Sequence, residues 1–389
     1  MLAEEIEAAK TKGTRAEQVM KVEQELFDIY ARPELDEKPE QLSFRGGAYY
    51  SEVAVELINA IYNNLGKEMV VNTRNNGAIK GFDADAVVDL IVTAHGSIER
   101  FPLVAQVVAA APALPHYRVR AFRERTTQPD FPIGMEGFEL STSEVLVALE
   151  QDGGQAALEI RFGREIPSDY QDHARNMAFI MLDHVLGEYD FAVKVGAVDF
   201  VGEPDDAHTP WVPLSQLPPV FDRYWTETLG HTGHFPTGEA EWDGLELQFD
   251  CPIDEDGNEL PPDDIDSEDA PETGVVMVNT SANAVAMRAD LAYALTVDLA
   301  VPDSDTLTAV QDLQAQAAPV LQVPQLGILV LTLMRAGRRQ ALYYVSDEQL
   351  AKQALAPLVL RDEAASLELK VAYDPAWSGY FEYAGYLSA

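Results

Sequence analysis

Two histidines followed by carboxylates form the most metal-like cluster of the sequence. His231 and His234 lie three residues apart, and Asp243 follows them together with two glutamates. Imidazole and carboxylate groups suit zinc or another transition metal, so these three residues are candidate metal ligands. The alternative is a solvated loop, because the segment is polar and irregular and no regular element pre-organises it.

A second pair of potential ligands lies on a predicted long helix. His184 and Glu188 are about one helical turn apart and therefore face the same side. They could bind a metal together. A histidine near the end of a helix is also stabilised by the negative C-terminal end of the helix dipole, which is the alternative interpretation.

Motifs for nucleophilic or cofactor chemistry are absent from the sequence. It contains no Gly-x-Ser-x-Gly elbow, no phosphate-binding glycine-rich loop and no dinucleotide fingerprint. The sequence therefore predicts no cofactor and identifies no catalytic residue. Carboxylates are so numerous that any two could be paired on paper, so a glycosidase-type dyad is not recognisable from the sequence.

Aromatic residues near the C-terminal end offer a different kind of site. Trp377 and Tyr380, with Tyr343 on a preceding predicted strand, are candidate residues for binding a partner protein. The alternative is that these rings cover the sheet and anchor the end of the chain, because aromatic side chains dominate core burial.

Charge restricts the partners that the chain can bind. The sequence has 389 residues and a formal net charge of −38, from 65 acidic against 27 basic residues. Nucleic acid and anionic membrane surfaces require clustered Lys and Arg, so the charge argues against both and favours a basic protein partner.

Cysteine content and apolar runs indicate the compartment. The single cysteine, Cys251, allows neither an internal disulfide nor a thiolate cluster. The sequence shows no signal peptide and no apolar run long enough to span a membrane, so we expect a cytoplasmic protein. The oligomeric state is left open.

Two segments share the predicted order strand, helix, strand, strand, helix, strand. In the second segment the strands are 291–301, 326–334, 340–345 and 366–373; in the first segment the closing strand is 191–201. This order is typical of a four-stranded antiparallel sheet with two helices on one face. We therefore predict an α+β fold with two ferredoxin-like βαββαβ units.

Four regions follow from this order. We predict an N-terminal helix and linker over 1–45, an α+β domain over 46–235, an acidic linker over 236–274 and a second α+β domain over 275–389. The linker contains many acids and prolines but no Lys or Arg, so it cannot offset the entropy of ordering, and we expect 252–273 to be an exposed loop.

A tyrosine-rich strand and a closing motif in the last region resemble a known family. They are Gly337-Arg338-Arg339-Gln340-Ala341-Leu342-Tyr343-Tyr344, followed by Asp374-Pro375-Ala376-Trp377 and Tyr380. Residues 275–389 thereby resemble the bacterial domain-of-unknown-function family 695, which is similar in fold to regulator of ribonuclease E activity B. The resemblance implies binding to an enzyme and no reaction. The run 182–190 is similar to uncharacterised bacterial proteins that carry such a domain.

Two functions are compatible with these observations. The leading prediction is a non-enzymatic protein-binding or regulatory module, inhibitor-like, because the acidity, the missing catalytic motifs and the resemblance agree. The alternative is a metal-dependent hydrolase that uses the histidine and carboxylate cluster between the two domains.

Overall fold

The structure is a computed structural model, and it describes ten ranges of the chain: 43–45, 48–50, 70–75, 88–111, 117–135, 137–202, 210–249, 272–301, 303–359 and 367–387. The chain forms two compact units. The first comprises 1–148 and 158–218, and the second comprises 149–157 and 219–389. Elements are numbered below over the described ranges only.

The first unit begins with a short hairpin and a three-stranded sheet. Its elements are β1 (Ser43–Arg45), β2 (Ala48–Tyr50), β3 (Val70–Asn75), β4 (Val88–Thr93), α1 (Phe101–Ala110) and β5 (Tyr117–Ala121). Strands β1 and β2 are antiparallel, as are β3 and β4. Strand β5 runs parallel to β4, because α1 carries the chain back to the start of the sheet.

A hairpin, a second sheet and two helices follow. They are β6 (Pro132–Met135), β7 (Phe138–Ser141), β8 (Val145–Asp152), β9 (Gln155–Phe162), α2 (Gln171–Leu186), α3 (Glu188–Lys194), β10 (Val195–Phe200) and β11 (Val212–Pro213). Strands β6 and β7 are antiparallel, and the second sheet has the order β10-β9-β8-β11. One side of α2 is buried, including Met177, Met181 and Val185.

The prediction of a ferredoxin-like sandwich in the first unit is not confirmed. Its strands belong to separate sheets, and β4 pairs with β5 in parallel instead of antiparallel. The predicted strand 191–201 begins as helix α3, and only Val195–Phe200 is extended. An ion pair between Lys194 and Asp190, one turn apart at 2.7 Å, is one local contact that favours the helical start, by a few tenths of a kcal/mol.

The second unit contains one six-stranded sheet and four helices in the described ranges. They are α4 (Leu217–Arg223), β12 (Trp242–Phe249), β13 (Glu272–Asn279), β14 (Tyr293–Ala300), α5 (Ser304–Gln322), β15 (Gly327–Arg335), β16 (Arg338–Val345), α6 (Glu348–Val359), β17 (Leu367–Tyr373) and α7 (Ser378–Ala384). The sheet order is β12-β13-β15-β16-β14-β17, and every neighbouring pair is antiparallel.

Helices α5 and α6 cover one face of this sheet. A single cluster joins Leu321 of α5 and Leu355 of α6 to Leu295, Leu299 and Tyr343 of the strands. Asp303 starts α5 as its N-cap, since its carboxylate accepts a hydrogen bond from the Thr306 amide at 2.8 Å. The element order that we predicted for this unit is therefore present, and the overall class is α+β with mainly antiparallel strand pairing.

The predicted division of the chain into four regions is not tested by the structure. Strand β12 and the start of β13 lie inside the predicted linker 236–274, whereas 250–271 and the predicted helix near the N-terminus lie outside the described residues. The four predicted regions stay predictions. Within the described part of the chain, every helix is too short or too polar to cross a membrane.

Candidate functional site

An open cavity of about 1120 Å³ lies in the first unit. Its wall comes from the end of β4 and the turn that follows, from the loop after β5, and from α2, α3 and β10. Charged and apolar side chains both line it, and the apolar Phe179 and Ile180 are each 40% exposed. The cavity therefore combines the two properties expected of a small-molecule site.

Glu188 is the central charged group of the cavity, and its side chain is fully buried. Its Oε1 accepts hydrogen bonds from the backbone amides of Ala94 at 3.0 Å and Gly96 at 3.2 Å. Its Oε2 accepts from the amide of Arg123 at 3.2 Å. One carboxylate thus holds together two segments that are far apart in sequence, the turn after β4 and the loop after β5.

Arg123 balances the negative charge of two carboxylates in the cavity lining. Its Nε and Nη2 donate to the two carboxylate oxygens of Asp183 at 2.5 and 2.9 Å, and its Nη2 lies 3.7 Å from Glu188. Burial lowers the pKa of this guanidinium, but the hydrogen bond with Asp183 and the charges of Asp183 and Glu188 outweigh burial and raise it. The pair is bidentate, the strongest geometry for arginine and carboxylate.

The link between α2 and α3 explains why Glu188 reaches this position. Gly187 has φ +84° and ψ 149°, a conformation available mainly to glycine. A Cβ atom at this residue would lie 3.1 Å from the Arg125 amide nitrogen and 3.2 Å from the Arg123 carbonyl oxygen. Glycine therefore allows the loop after β5 to pack against the turn and places Glu188 at the start of α3.

This network holds the turn after β4 and the loop after β5 in place, and its carboxylates already have partners within the protein. Glu188 accepts hydrogen bonds from three backbone amides, and Asp183 is paired with Arg123. His184 lines the same cavity, whereas the Glu188 carboxylate accepts the amides of the turn after β4. The sequence did not indicate a role for Arg123. The sequence feature that could have pointed to this network is Gly187-Glu188, directly after the long helix.

The predicted metal ligands occupy different environments. His231 is buried, with Nδ1 2.8 Å from the Asn283 carbonyl oxygen and Nε2 2.8 Å from that of Gly154. Both ring nitrogens therefore face acceptors, while His234 and Asp243 are exposed. Among the described residues, no group of three or more histidine, cysteine or acidic side chains is arranged to hold a metal ion.

The predicted partner-binding residues lie in the core of the second unit. Tyr343 belongs to the cluster beneath α5 and α6. On the other face of the sheet, Trp377 stacks on Tyr344 with ring centroids 4.1 Å apart, and the Tyr380 hydroxyl donates to the Asn279 carbonyl. Trp377, Tyr380 and Tyr343 are each at most 1% exposed, so they offer no surface to a partner.

Comparison with known proteins finds a family similarity in the N-terminal part of the sequence. The family 4 glycosyl hydrolase C-terminal domain matches residues 1–99. A protein of Bacillus subtilis strain 168 named "Probable 6-phospho-beta-glucosidase" is 53% identical over 90 residues, which are 23% of this chain and 20% of the relative.

Two further relatives carry the same kind of name. A 6-phospho-beta-glucosidase of Escherichia coli K12 is 36% identical over 150 residues, 39% of this chain and 30% of the relative. One of Thermotoga maritima is 44% identical over 80 residues, 21% of this chain and 19% of the relative. The chain thus spans about a fifth to a third of the length of these relatives. No solved structure matches.

These findings correct two predictions. The resemblance to the domain-of-unknown-function family 695 and to regulator of ribonuclease E activity B is wrong, because the matching family is that of the glycosyl hydrolase domain. The prediction of a non-enzymatic, protein-binding regulator is also wrong, because the relatives are named as glycosidases. The expected basic partner stays a prediction.

Proposed function

We propose that the chain takes part in hydrolysing 6-phospho-β-glucosides, as a glycoside hydrolase of the kind that its relatives are named for. One observation carries this proposal, the 53% identity over 90 residues to the Bacillus subtilis protein. The match to the family 4 glycosyl hydrolase C-terminal domain over residues 1–99 agrees with it.

The geometry of the first unit supports a role for the matched segment inside a larger fold. Strands β3 and β4 belong to the segment, and β4 pairs with β5, which lies beyond it. The turn after β4 also belongs to it and is held by Glu188 through the amides of Ala94 and Gly96. The matched segment is therefore joined to the cavity that Arg123 and Glu188 line.

The cavity carboxylates are not assigned as acid and nucleophile. Most glycoside hydrolases use two carboxylates, but family 4 enzymes are NAD-dependent exceptions. Asp183 and Glu188 are in any case occupied by Arg123 and by backbone amides. Their role in the proposal is to fix the turn after β4, and no nicotinamide site is assigned to the described residues.

A chromogenic assay on the full chain tests the proposal. We expect hydrolysis of 4-nitrophenyl β-D-glucoside 6-phosphate, and none of the same glucoside without phosphate, in parallel reactions with and without NAD and a divalent metal. Glu188→Gln should lower both activity and thermal stability, whereas Glu165→Gln, at an exposed carboxylate, should change neither. Absence of phosphate-dependent hydrolysis in every reaction would overturn the proposal.

We also infer a ferredoxin-like sandwich in the second unit, extended by two strands. The supporting observations are the order β15-β16-β14-β17 within the sheet and the common core that α5 and α6 form on one face. Strands β12 and β13 then add to the β15 edge, beyond the predicted βαββαβ unit.

A further inference from the structure

A second cavity, of about 360 Å³, lies in the second unit beside α5. The sheet contributes lining residues from four neighbouring strands, β12, β13, β15 and β16. One side of α5 forms the wall through Gln311, Gln314, Ala315 and Gln322, which are spaced along one helical face. All of the described residues that line it belong to the second unit.

Arg339 is the only charged residue that lines this cavity among the described residues. Its Nε donates to Oε1 of Gln314 at 2.7 Å, and its Nη2 donates to Oγ1 of Thr332 at 3.3 Å. Both acceptors are neutral, and no described carboxylate forms a salt bridge with it. Burial lowers the pKa of this guanidinium, and among the described residues only the Tyr343 hydroxyl counteracts that effect.

An arginine without a carboxylate is unexpected in this chain, where acids outnumber bases 65 to 27. The neighbouring Arg338 shows the usual arrangement, since its Nε donates to Asp298 at 2.8 Å. Burying a cation is unfavourable when all of its partners are neutral, and a bound anion would offset that cost.

Gln314 supplies a second, independent indication of a ligand. Its side chain is 5% exposed, and its Nε2 has no hydrogen-bond partner among the described residues. The amide orientation is fixed, because Arg339 Nε can donate only to the oxygen. An unused buried donor therefore lies beside Arg339, whose described partners are both neutral. Unsatisfied buried donors are costly, so this one also favours an acceptor in the cavity.

The remaining lining limits the body of the ligand. Trp242, Met277, Ala315, Ala318 and Leu329 give the cavity apolar surface, and the Trp242 ring is 36% exposed. The volume suits a small organic molecule. From this combination we propose that the cavity binds a small organic anion, a carboxylate or phosphate monoester with an apolar or ring-shaped body, with its oxyanion at Arg339 and Gln314.

Calorimetric titration of the full chain with phenyl phosphate and with benzoate tests this proposal, with benzyl alcohol as the neutral probe. We expect saturable binding of at least one anion, weakening with added salt, and none of benzyl alcohol. Tighter binding of phenyl phosphate assigns the site to phosphate esters, and tighter binding of benzoate assigns it to carboxylates. Failure of both anions to bind at millimolar concentration overturns the proposal.

Three variants locate the binding. Arg339→Gln should weaken binding at least about tenfold, because it removes a charge-assisted contact. Gln314→Glu should weaken it similarly while leaving the protein folded, since the new carboxylate occupies the arginine. Arg338→Gln is the matched control, on the opposite face of β16, and should change affinity less than about twofold. An anion affinity that neither Arg339→Gln nor Gln314→Glu changes would refute the location of the oxyanion at these two residues.

Discussion

Arg123 in the first unit and Arg339 in the second are both partly buried arginines in the wall of a cavity, but their partners differ. Arg123 is held by two carboxylates, whereas Arg339 has only a neutral amide and a neutral hydroxyl among the described residues. Their pKa values shift in opposite directions, since carboxylates overcome the effect of burial only at Arg123. One cation is therefore part of the protein's own framework, and the other is available to a ligand.

The largest expected effect is on stability, and substituting each arginine in turn tests the comparison. Arg123→Gln leaves Asp183 and the buried Glu188 without their cation, so we expect a loss of about 3–5 kcal/mol in the free energy of unfolding. Arg339→Gln removes a cation that has no salt bridge with a described carboxylate, so we expect a smaller loss of about 1–2 kcal/mol, from the donor that Gln314 Oε1 loses. Chemical denaturation of both variants measures the difference. Equal losses would remove the distinction.

Backbone geometry under the first network provides the next test. Gly187→Ala places a methyl group 3.1 Å from the Arg125 amide nitrogen in a backbone conformation that alanine avoids, so we expect destabilisation of about 1–3 kcal/mol. Gly137→Ala is the matched control, because its φ of +86° is similar but a methyl group there would have no atom within 4 Å. Thermal unfolding of both variants isolates the contribution of the contact. A loss at Gly137 as large as that at Gly187 would contradict it.

A carboxylate introduced next to Arg339 should give this arginine an ion pair like that of Arg123. Gln314→Glu is nearly isosteric, and we expect it to raise the free energy of unfolding by about 1 kcal/mol at neutral pH. Pairing lowers the pKa of the new carboxyl in the folded state. The gain is therefore present above the ordinary glutamate pKa of about 4.3 and is lost as the pH falls through the lowered value.

Denaturation from pH 7 to pH 3 measures this dependence against the wild-type chain. A control variant, Gln316→Glu, changes an exposed residue of the same helix by the same chemistry and should not show the gain. A pH-independent effect of Gln314→Glu would mean that the carboxylate does not pair with Arg339.

The second unit was the more predictable from sequence, for a physical reason. Its hairpin and helices are local elements, and the apolar runs around 327–335 and 338–345 have the length and turn residues that strands require. The first unit depends on a parallel pairing of β4 with β5 and on Glu188 reaching back across the chain. Such non-local contacts leave little trace in a single sequence.

The candidate sites were less predictable than the fold. His231 and His234 are close in sequence, but spacing does not tell which way a ring points, and the His231 nitrogens turn to two carbonyl oxygens. Trp377 and Tyr380 could equally have been surface or core residues, and packing placed them in the core. The similarity of residues 1–99 to glycosidases depends on identities with relatives, which composition and periodicity do not contain.

The smallest expected effect concerns the body of the ligand at Arg339. Trp242 lies at the exposed edge of the cavity on β12, where an aromatic ligand could contact its ring. Trp242→Ala should weaken phenyl phosphate about two- to tenfold, the usual contribution of one aromatic contact, and leave inorganic phosphate unchanged. Calorimetric competition between phenyl phosphate and inorganic phosphate separates the contribution of the ring to affinity from that of the oxyanion. An equal loss for both ions would mean that Trp242 shapes the anion site itself, and no loss for either would place the ligand body elsewhere in the cavity.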